Sequence, residues 1–346
     1  MAAADNTDDM RLLLPSKNGL HEALENGRYK DAWYLIRSST EDYLTEFYEN
    51  CRGYSPPSYK SCLHIIAALR DKQPAVFLYQ EFLARITTKK NRDKLLNATV
   101  VQEFGTKKMR ARVAAVHIAA YSGNTGVVRL LCQQYGVDAN CSSGESVEDH
   151  PVTGITPLYW AAANGQIEVV KLLIDIIGDV NARCDDRSDT ALHIACWNGQ
   201  LELVKWLLAM QVDVIARRVT DGATPLYDAA ESGHVEVVRL LLDHEADVNA
   251  SRNTGSTPLY AAAQKGHVEV VRLLLNCNVG VNLRCTDGYT ALLIAAQKGH
   301  VSIVKLLLEN KADVNVSRPG DNATSLYLAA WNGHVEVVKL LLTQQQ

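Results

Sequence analysis

From Thr156 onward, apolar and polar positions follow one pattern that recurs six times. A Thr opens nearly the same block at Thr156, Thr190, Thr224, Thr257, Thr290 and Thr324, at intervals of 34, 34, 33, 33 and 34 residues. The block from Thr224 to Asn249, TPLYDAAESGHVEVVRLLLDHEADVN, shows what each is built to do. Leu226, Ala229 and Ala230 fall at i, i+3 and i+4, one apolar stripe on a short first helix. Thr224 suits the N-cap, and Pro225 the first helical position, where a missing N–H costs nothing. Gly233 is a helix stop. Val235, Val238, Leu241 and Leu242 mark the buried side of a second helix, and Glu236 and Arg239, three apart, its exposed side. Asp247 and Asn249 carry short polar side chains that can satisfy backbone groups in the turn leaving it. The pattern predicts helix, tight turn, helix, connecting loop.

One such pair cannot bury its apolar face alone; stacked on a copy, it can. The pairs Ala229–Ala230, Ala262–Ala263, Ala295–Ala296 and Ala329–Ala330 let first helices approach closely, and the Leu runs at 240–242, 273–275 and 306–308 fill the space between pairs. A stack of this kind presents a long surface instead of a catalytic pocket. The run Thr-Pro-Leu-Tyr-x-Ala-Ala-x-x-Gly-His-Val-Glu-Val-Val-x-Leu-Leu-Leu, followed by Ala-Asp-Val-Asn, resembles the ankyrin repeat almost residue for residue. The resemblance implies an all-α solenoid of stacked helix-turn-helix pairs with short hairpin loops. Two departures stand out. The family's His after Leu survives at His193 but is Tyr at Tyr159, Tyr227, Tyr260 and Tyr327. The Gly expected before Ala-Asp-Val-Asn is Glu245 and Lys311 in two repeats, and a left-handed backbone there costs roughly 1 kcal/mol relative to Gly.

Upstream, Val116–Gly123 matches the same pattern, with Val127 to Leu131 as its second helix and the polar loop 141–153 taking up the extra residues before Leu158. Leu63–Ala68 and Leu20–Gly27 are degenerate copies, the latter with Trp33 to Ile36 behind it. The count is six clear repeats, one good and two weak, about nine in all. Residues 1–113 read as divergent N-terminal repeats with a basic insertion at 85–112, and 114–346 as a regular array of seven repeats. The first copy is charge-rich, as suits a capping repeat. The last helix, Val335 to Leu342, is as apolar as an internal one, so the array is expected to continue beyond Gln346.

The net charge of −4 is too mild to nominate nucleic acid as a partner. No apolar run approaches the roughly 18 residues of a membrane span, and the acidic N-terminus is unlike a signal peptide. Eight scattered cysteines without a Cys-x-x-Cys pair favour reduced thiols, hence a cytoplasmic or nuclear location. Oligomeric state is not legible. There is no phosphate-binding Gly loop, no His-Glu-x-x-His and no nucleophile elbow, so neither catalysis nor a small-molecule substrate is expected. No cofactor is expected either. His234, His267, His300 and His334 recur with the repeat at the start of second helices. Successive copies would stand about 10 Å apart, too far for one metal, and turn hydrogen bonding is the expected role.

In the ankyrin family, partners meet loop tips and the first helices along the concave side. The resemblance therefore directs attention to the residue before each Ala pair and the two after it. Across the stack these positions supply Tyr121, Trp160 and Trp197 as an aromatic end, Asp228 and Glu231 as an acidic middle, Lys265 and Lys298 as a basic stretch, and Trp331 as a closing aromatic. Exposed Trp and Tyr are frequent binding hot spots; the alternative is that these rings pack between repeats. The tips add Asp185, Asp186, Arg187, Thr220, Asp221, Asn253, Thr254, Thr286 and Asp287, where turn chemistry already favours polar residues. Between Arg85 and Arg112 lie nine basic residues against two acidic ones, including Lys89, Lys90, Arg92, Lys107, Lys108, Arg110 and Arg112. The run reads as a solvated inserted loop, an import signal or a phosphate-binding patch.

The expected function is a non-enzymatic scaffold holding a protein or peptide in a concave groove. The alternative is the substrate-reading part of a larger assembly, such as a ubiquitin-ligase receptor, or the repeat region of a multidomain signalling protein. The stretch Val128 to Lys205, with its long loop, Gly-Ile-Thr-Pro-Leu-Tyr-Trp-Ala-Ala from Gly154 and Ala-Cys-Trp-Asn-Gly-Gln-Leu-Glu-Leu-Val-Lys from Ala195, also resembles the Fem family of ubiquitin-ligase substrate receptors.

Overall fold

The computed structural model describes residues 20, 23, 28–38, 66–67, 72–84, 96, 99–104, 109–143 and 154–343. The chain divides into two compact units: residues up to 161 together with 166–178, and residues 162–165 together with 179–346.

In the first unit, helix α1 (Tyr29–Ser38) packs on α2 (Lys72–Ala84), with Trp33 stacked on Phe77 at 6.1 Å between ring centres. These are the second helices of the two weak repeats. Most of their first helices, including Leu63 to His64 and Asn18, lie outside the described residues. Strands β1 (Thr99–Phe104) and β2 (Met109–Ala114) pair antiparallel, Thr99 opposite Ala114 and Phe104 opposite Met109. Part of the basic insertion is therefore a ribbon, not the loop expected from its charge. Its β-branched and alternating residues, Thr-Val-Val and Arg-Ala-Arg-Val, carried a period-2 signal that the density of Lys and Arg obscured. The ribbon runs into α3 (Ala115–Ser122), which packs on α4 (Thr125–Arg129). One π turn, Leu130–Gln134, continues α4. Then come α5 (Pro157–Ala163) and α6 (Ile167–Ile177), and α6 packs on α4.

The second unit is five helix pairs in series. The inner helices are α7 (Ala191–Trp197), α9 (Pro225–Ser232), α11 (Pro258–Lys265), α13 (Ala291–Lys298) and α15 (Ser325–Trp331). Each is followed by its outer partner: α8 (Leu201–Ala209), α10 (Val235–Asp243), α12 (Val268–Leu275), α14 (Val301–Glu309) and α16 (Val335–Thr343). The Thr before each inner helix caps it, its hydroxyl accepting the N–H three residues on, as in Tyr227 N to Thr224 Oγ1 at 3.3 Å. The Ala pairs 229–230, 262–263 and 295–296 are fully buried, so neighbouring inner helices meet more closely than the Leu-faced outer ones. Unequal spacing of that kind bends the unit toward its inner helices.

What fixes one repeat on the next is a ring laid across a glycine. His234 Nε2–H donates to Trp197 O at 3.0 Å, His267 to Glu231 O at 3.0 Å, His300 to Gln264 O at 3.3 Å and His334 to Gln297 O at 3.0 Å. Gln200 does the same for Ala163 O at 3.1 Å, and within the first unit Gln166 does so for Tyr121 O at 3.2 Å. The sequence-based expectation of hydrogen bonding holds for these histidines, but the bond joins neighbouring repeats instead of closing a local turn. Gly199 and Gly233, which end α7 and α9, have φ of +67° and +82°, and a Cβ on either would lie 2.6 Å from the His ring of the next repeat. Glycine is needed there twice over.

A second set of links runs through the outgoing turns. Asp179, Asp247 and Asp313 each accept the N–H two residues on. The Asn at that +2 position then reaches the next repeat: Asn181 Oδ1 accepts from Asp213 N at 2.9 Å and Asn249 from Gly280 N at 2.7 Å. Asn282, two residues after Gly280 where the other repeats have Asp, accepts from Asp313 N at 2.9 Å. Ile215 takes the Asn position in one repeat and is exposed.

Glu245 and Lys311 do hold the left-handed backbone foreseen for them, with φ of +62° and +63°, and Gln211 shares it at +55°. Replacing a strained side chain by Gly relieves about 1–2 kcal/mol and returns roughly half of that as unfolded-chain entropy. Glu245→Gly and Lys311→Gly are each expected to raise the unfolding free energy by about 0.5–1 kcal/mol. Urea titration of the single and double variants measures this, and an unchanged or lowered midpoint contradicts it.

Candidate functional site

The residue before each Ala pair is buried along the whole row: Ile118, Trp160, Ile194, Asp228, Ala261, Ile294 and Leu328. Two of the predicted partner residues are therefore corrected. Trp160 is 2 % exposed and packs edge-on against Tyr121 and Tyr159, at 5.9 and 5.6 Å between ring centres. It is a core side chain because this helical position points between repeats. Asp228, 1 % exposed, sits at the same position and is an internal ion-pair partner.

The two residues after each Ala pair (Ala195–Cys196 in α7), at the end of the inner helix or just beyond it, turn outward instead. In the second unit this row runs Trp197–Asn198, Glu231–Ser232, Gln264–Lys265, Gln297–Lys298 and Trp331–Asn332. Trp197 is 44 % and Trp331 76 % exposed, and Trp331 stacks on the exposed Tyr327 at 5.9 Å. Glu231 is half-buried and meets Lys265 at 3.5 Å, while Lys298 is exposed with no ion-pair partner among the described residues. Tyr121, at the equivalent position in the first unit, is half-buried against Trp160. Of the basic patch, Arg110 and Arg112 lie on β2; Lys89, Lys90, Arg92, Lys107 and Lys108 lie outside the described residues.

Beneath the row lies a chain of buried charge. Arg218 Nε meets Asp189 Oδ1 at 2.6 Å, Nη2 meets Asp228 Oδ2 at 2.8 Å and Nη1 meets Asp221 Oδ2 at 3.3 Å. Arg187 meets Asp189 at 2.8 Å and Asp185 at 3.2 Å, and Arg252 bonds Asp221 while lying over the Tyr227 ring. Four carboxylates thus share three guanidinium groups. Burial raises Asp228 well above the usual carboxylate range against the pull of Arg218, and its Oδ1 is buried without a hydrogen bond. Burial and the nearby Asp189 likewise raise Asp185. Removing Arg218 would strand these acids in the interior, the costly way to break a buried pair.

The tips are knit along the stack by backbone bonds: Val219 N to Arg187 O, Asn253 N to Asp221 O and Thr286 N to Thr254 O, at 2.8–3.2 Å. Asp185, Arg187 and Asp221 among the predicted tip residues are spent in the ion chain. Sequence reasoning missed Arg218, whose signal was an Arg-Arg dipeptide where the neighbouring repeats carry one Arg.

Asp189, His193 and Asp228 bring polar atoms within 4.8 Å of one another, the spacing of a metal centre. Their donors are committed elsewhere. His193 Nδ1 accepts from Thr190 N and faces Thr190 Oγ1, and its Nε2–H donates to Ala223 O. Both Asp189 oxygens hold arginines. A guanidinium already fills the place a cation would take.

Residues 63–175, 116–218, 212–286 and 277–346 match the family described as Ankyrin repeats (3 copies), and the chain belongs to the ankyrin-repeat family. A stretch of 69 residues is 39 % identical to alpha-latrocrustotoxin-Lt1a of Latrodectus tredecimguttatus. That stretch is 20 % of this chain and 4 % of the toxin, so the similarity spans a small part of that relative. No helix among the described residues is long and apolar enough to cross a membrane.

Among the described residues, His117 and His193 are the buried histidines of the repeat motif, and burial lowers each to about 4. His117 Nε2 faces Cys141 O and Ile155 O at 3.1 and 3.2 Å, so its proton is held in the same way as that of His193. The unfolded chain binds these protons near pH 6.5 and the folded chain only near 4. Across that window the unfolded state carries more protons, so stability falls as pH falls, by up to about 1.4 kcal/mol per pH unit for each His. Denaturant titrations at pH 6.5 and 5 should show this slope, reduced by one proton in His193→Tyr, the residue other repeats carry. An identical slope in the variant contradicts the assignment.

Proposed function

We propose that the protein is a non-enzymatic interaction scaffold that holds a protein or peptide along the exposed ends of the inner helices in the second unit. Trp197 carries this reading: a large aromatic side chain stays nearly half exposed at a helix position where its own carbonyl is already used to join repeats. Side chains of this type supply much binding energy at little entropic cost. Ankyrin-repeat arrays are characteristically non-catalytic, and among the described residues the cluster with the look of a reactive centre is occupied by its own arginines. The six described cysteines are all free thiols, which supports a reducing, cytoplasmic or nuclear setting. A receptor role within a larger assembly, ubiquitin ligase or signalling protein, would use the same row. The Fem-like stretch motivates that finer assignment.

The test compares proteins retained by the wild-type chain with those retained by Trp197→Ala, both checked by circular dichroism melts. Specific partners should disappear from the folded variant, whose stability changes by less than about 1 kcal/mol. Trp160→Ala is the contrasting control, losing about 3–5 kcal/mol of stability as a core truncation. An unchanged partner set with Trp197→Ala contradicts the reading.

A further inference from the structure

We infer that the row takes an extended acidic segment carrying one bulky apolar side chain; this rests on, and narrows, the scaffold reading. Along the sequence the row is aromatic, then acidic, then basic. Folding changes that balance, because Asp228 is withdrawn beneath the surface to Arg218 and Glu231 is half-buried against Lys265. What faces outward between Trp197 and Lys298 is an indole, one compensated Lys and one uncompensated Lys. The exposed row is thus positive on a chain whose net charge is −4. A complementary occupant brings carboxylates to Lys265 and Lys298 and an apolar group to Trp197. A docked carboxylate would share the exposed Lys265 ammonium with the half-buried Glu231, whose contact at 3.5 Å is loose enough to leave the other ammonium protons available.

The repeat sets the spacing. Packed helices lie about 10 Å apart, so Lys265 and Lys298, two and three repeats beyond Trp197, stand roughly 20 and 30 Å from it. An extended polyproline-II chain advances about 3.1 Å per residue and returns to the same face every third residue. The acidic residues should therefore follow the apolar one at about six and nine positions, all three side chains on one face, in one chain direction or the other. A single-stranded nucleic acid fits less well. It needs successive stacking platforms, and Trp197 is the one aromatic among the residues from Trp197 to Lys298 that end the inner helices.

The experiment uses the whole chain and fluorescein-labelled peptides in a Gly/Ser/Thr background, with Phe at one end and Glu six and nine residues away, made in both directions. Fluorescence anisotropy should show one direction binding, at least tenfold weaker with Lys in place of Glu. The affinity should fall severalfold between 50 and 200 mM salt. Lys298→Glu should reverse the peptide preference, and Trp197→Ala should weaken the Phe peptide about tenfold, with both variants folded by circular dichroism. The inference is overturned if the Lys peptide binds as well as the Glu peptide. It is equally overturned if no peptide binds at 1 mM, or if a 12-nucleotide oligothymidylate binds more tightly. Failure of the peptides while cellular partners still depend on Trp197 removes the acidic chemistry alone; loss of both dependences removes the scaffold reading as well.

Discussion

From the inner helix that ends near Tyr121 to the one that ends near Gln297, each repeat depends on the one after it for a hydrogen bond at the end of that helix. A His or Gln from the next repeat donates to the carbonyl of the first residue beyond the Ala pair, lying over a glycine whose missing Cβ makes the approach possible. A helix end leaves carbonyls without intrahelical partners, and here one of them is satisfied from outside its own repeat. The bond fixes the distance between repeats, and with it the burial of the Ala pairs. Helix phase decides which side chains stay outside: beyond the inward-facing column of Ile194 and Asp228, and past the Ala pair, Trp197, Glu231, Gln264 and Gln297 leave the core at the ends of their helices.

The Arg218 chain is the second sorting device. It gathers acids from two tip loops and one inner helix around guanidinium groups, linking three successive repeats. Buried ion pairs are weak contributors to stability when compared with apolar packing, but they punish mispairing severely. In a stack of near-identical repeats, a charge arrangement found at one level opposes slippage of one repeat onto the wrong neighbour. The same arrangement removes Asp228 from the surface, so the inner row gains a basic character that its residue list does not suggest.

Fold and caps were legible because they are local and repeated. The Thr caps, Gly stops and left-handed Glu245 and Lys311 follow from spacing and residue type alone. The exposed row was legible one column at a time, and failed at the column where helix phase mattered. Asp228 and Trp160 share a position with Ile194 and Leu328, and that comparison shows an inward-facing column. A charged or indole side chain among aliphatic ones looked like a functional departure, when it was a local solution to packing. Arg218, which explains Asp228, lies ten residues earlier in a loop, and no period connects the two. The ribbon at 99–114 escaped because its charge drew attention away from its alternation.

Carboxylate footprinting tests most directly the claim that folding divides the charges of this face into internal and available ones. The intact protein is treated with carbodiimide and an amine, and labelling at each acid is followed by mass spectrometry. Asp228 and Asp189 should remain unlabelled until the protein unfolds, while the exposed Glu236 labels at once. Labelling of Asp228 in the folded protein at the rate of Glu236 would place it on the surface and contradict the account.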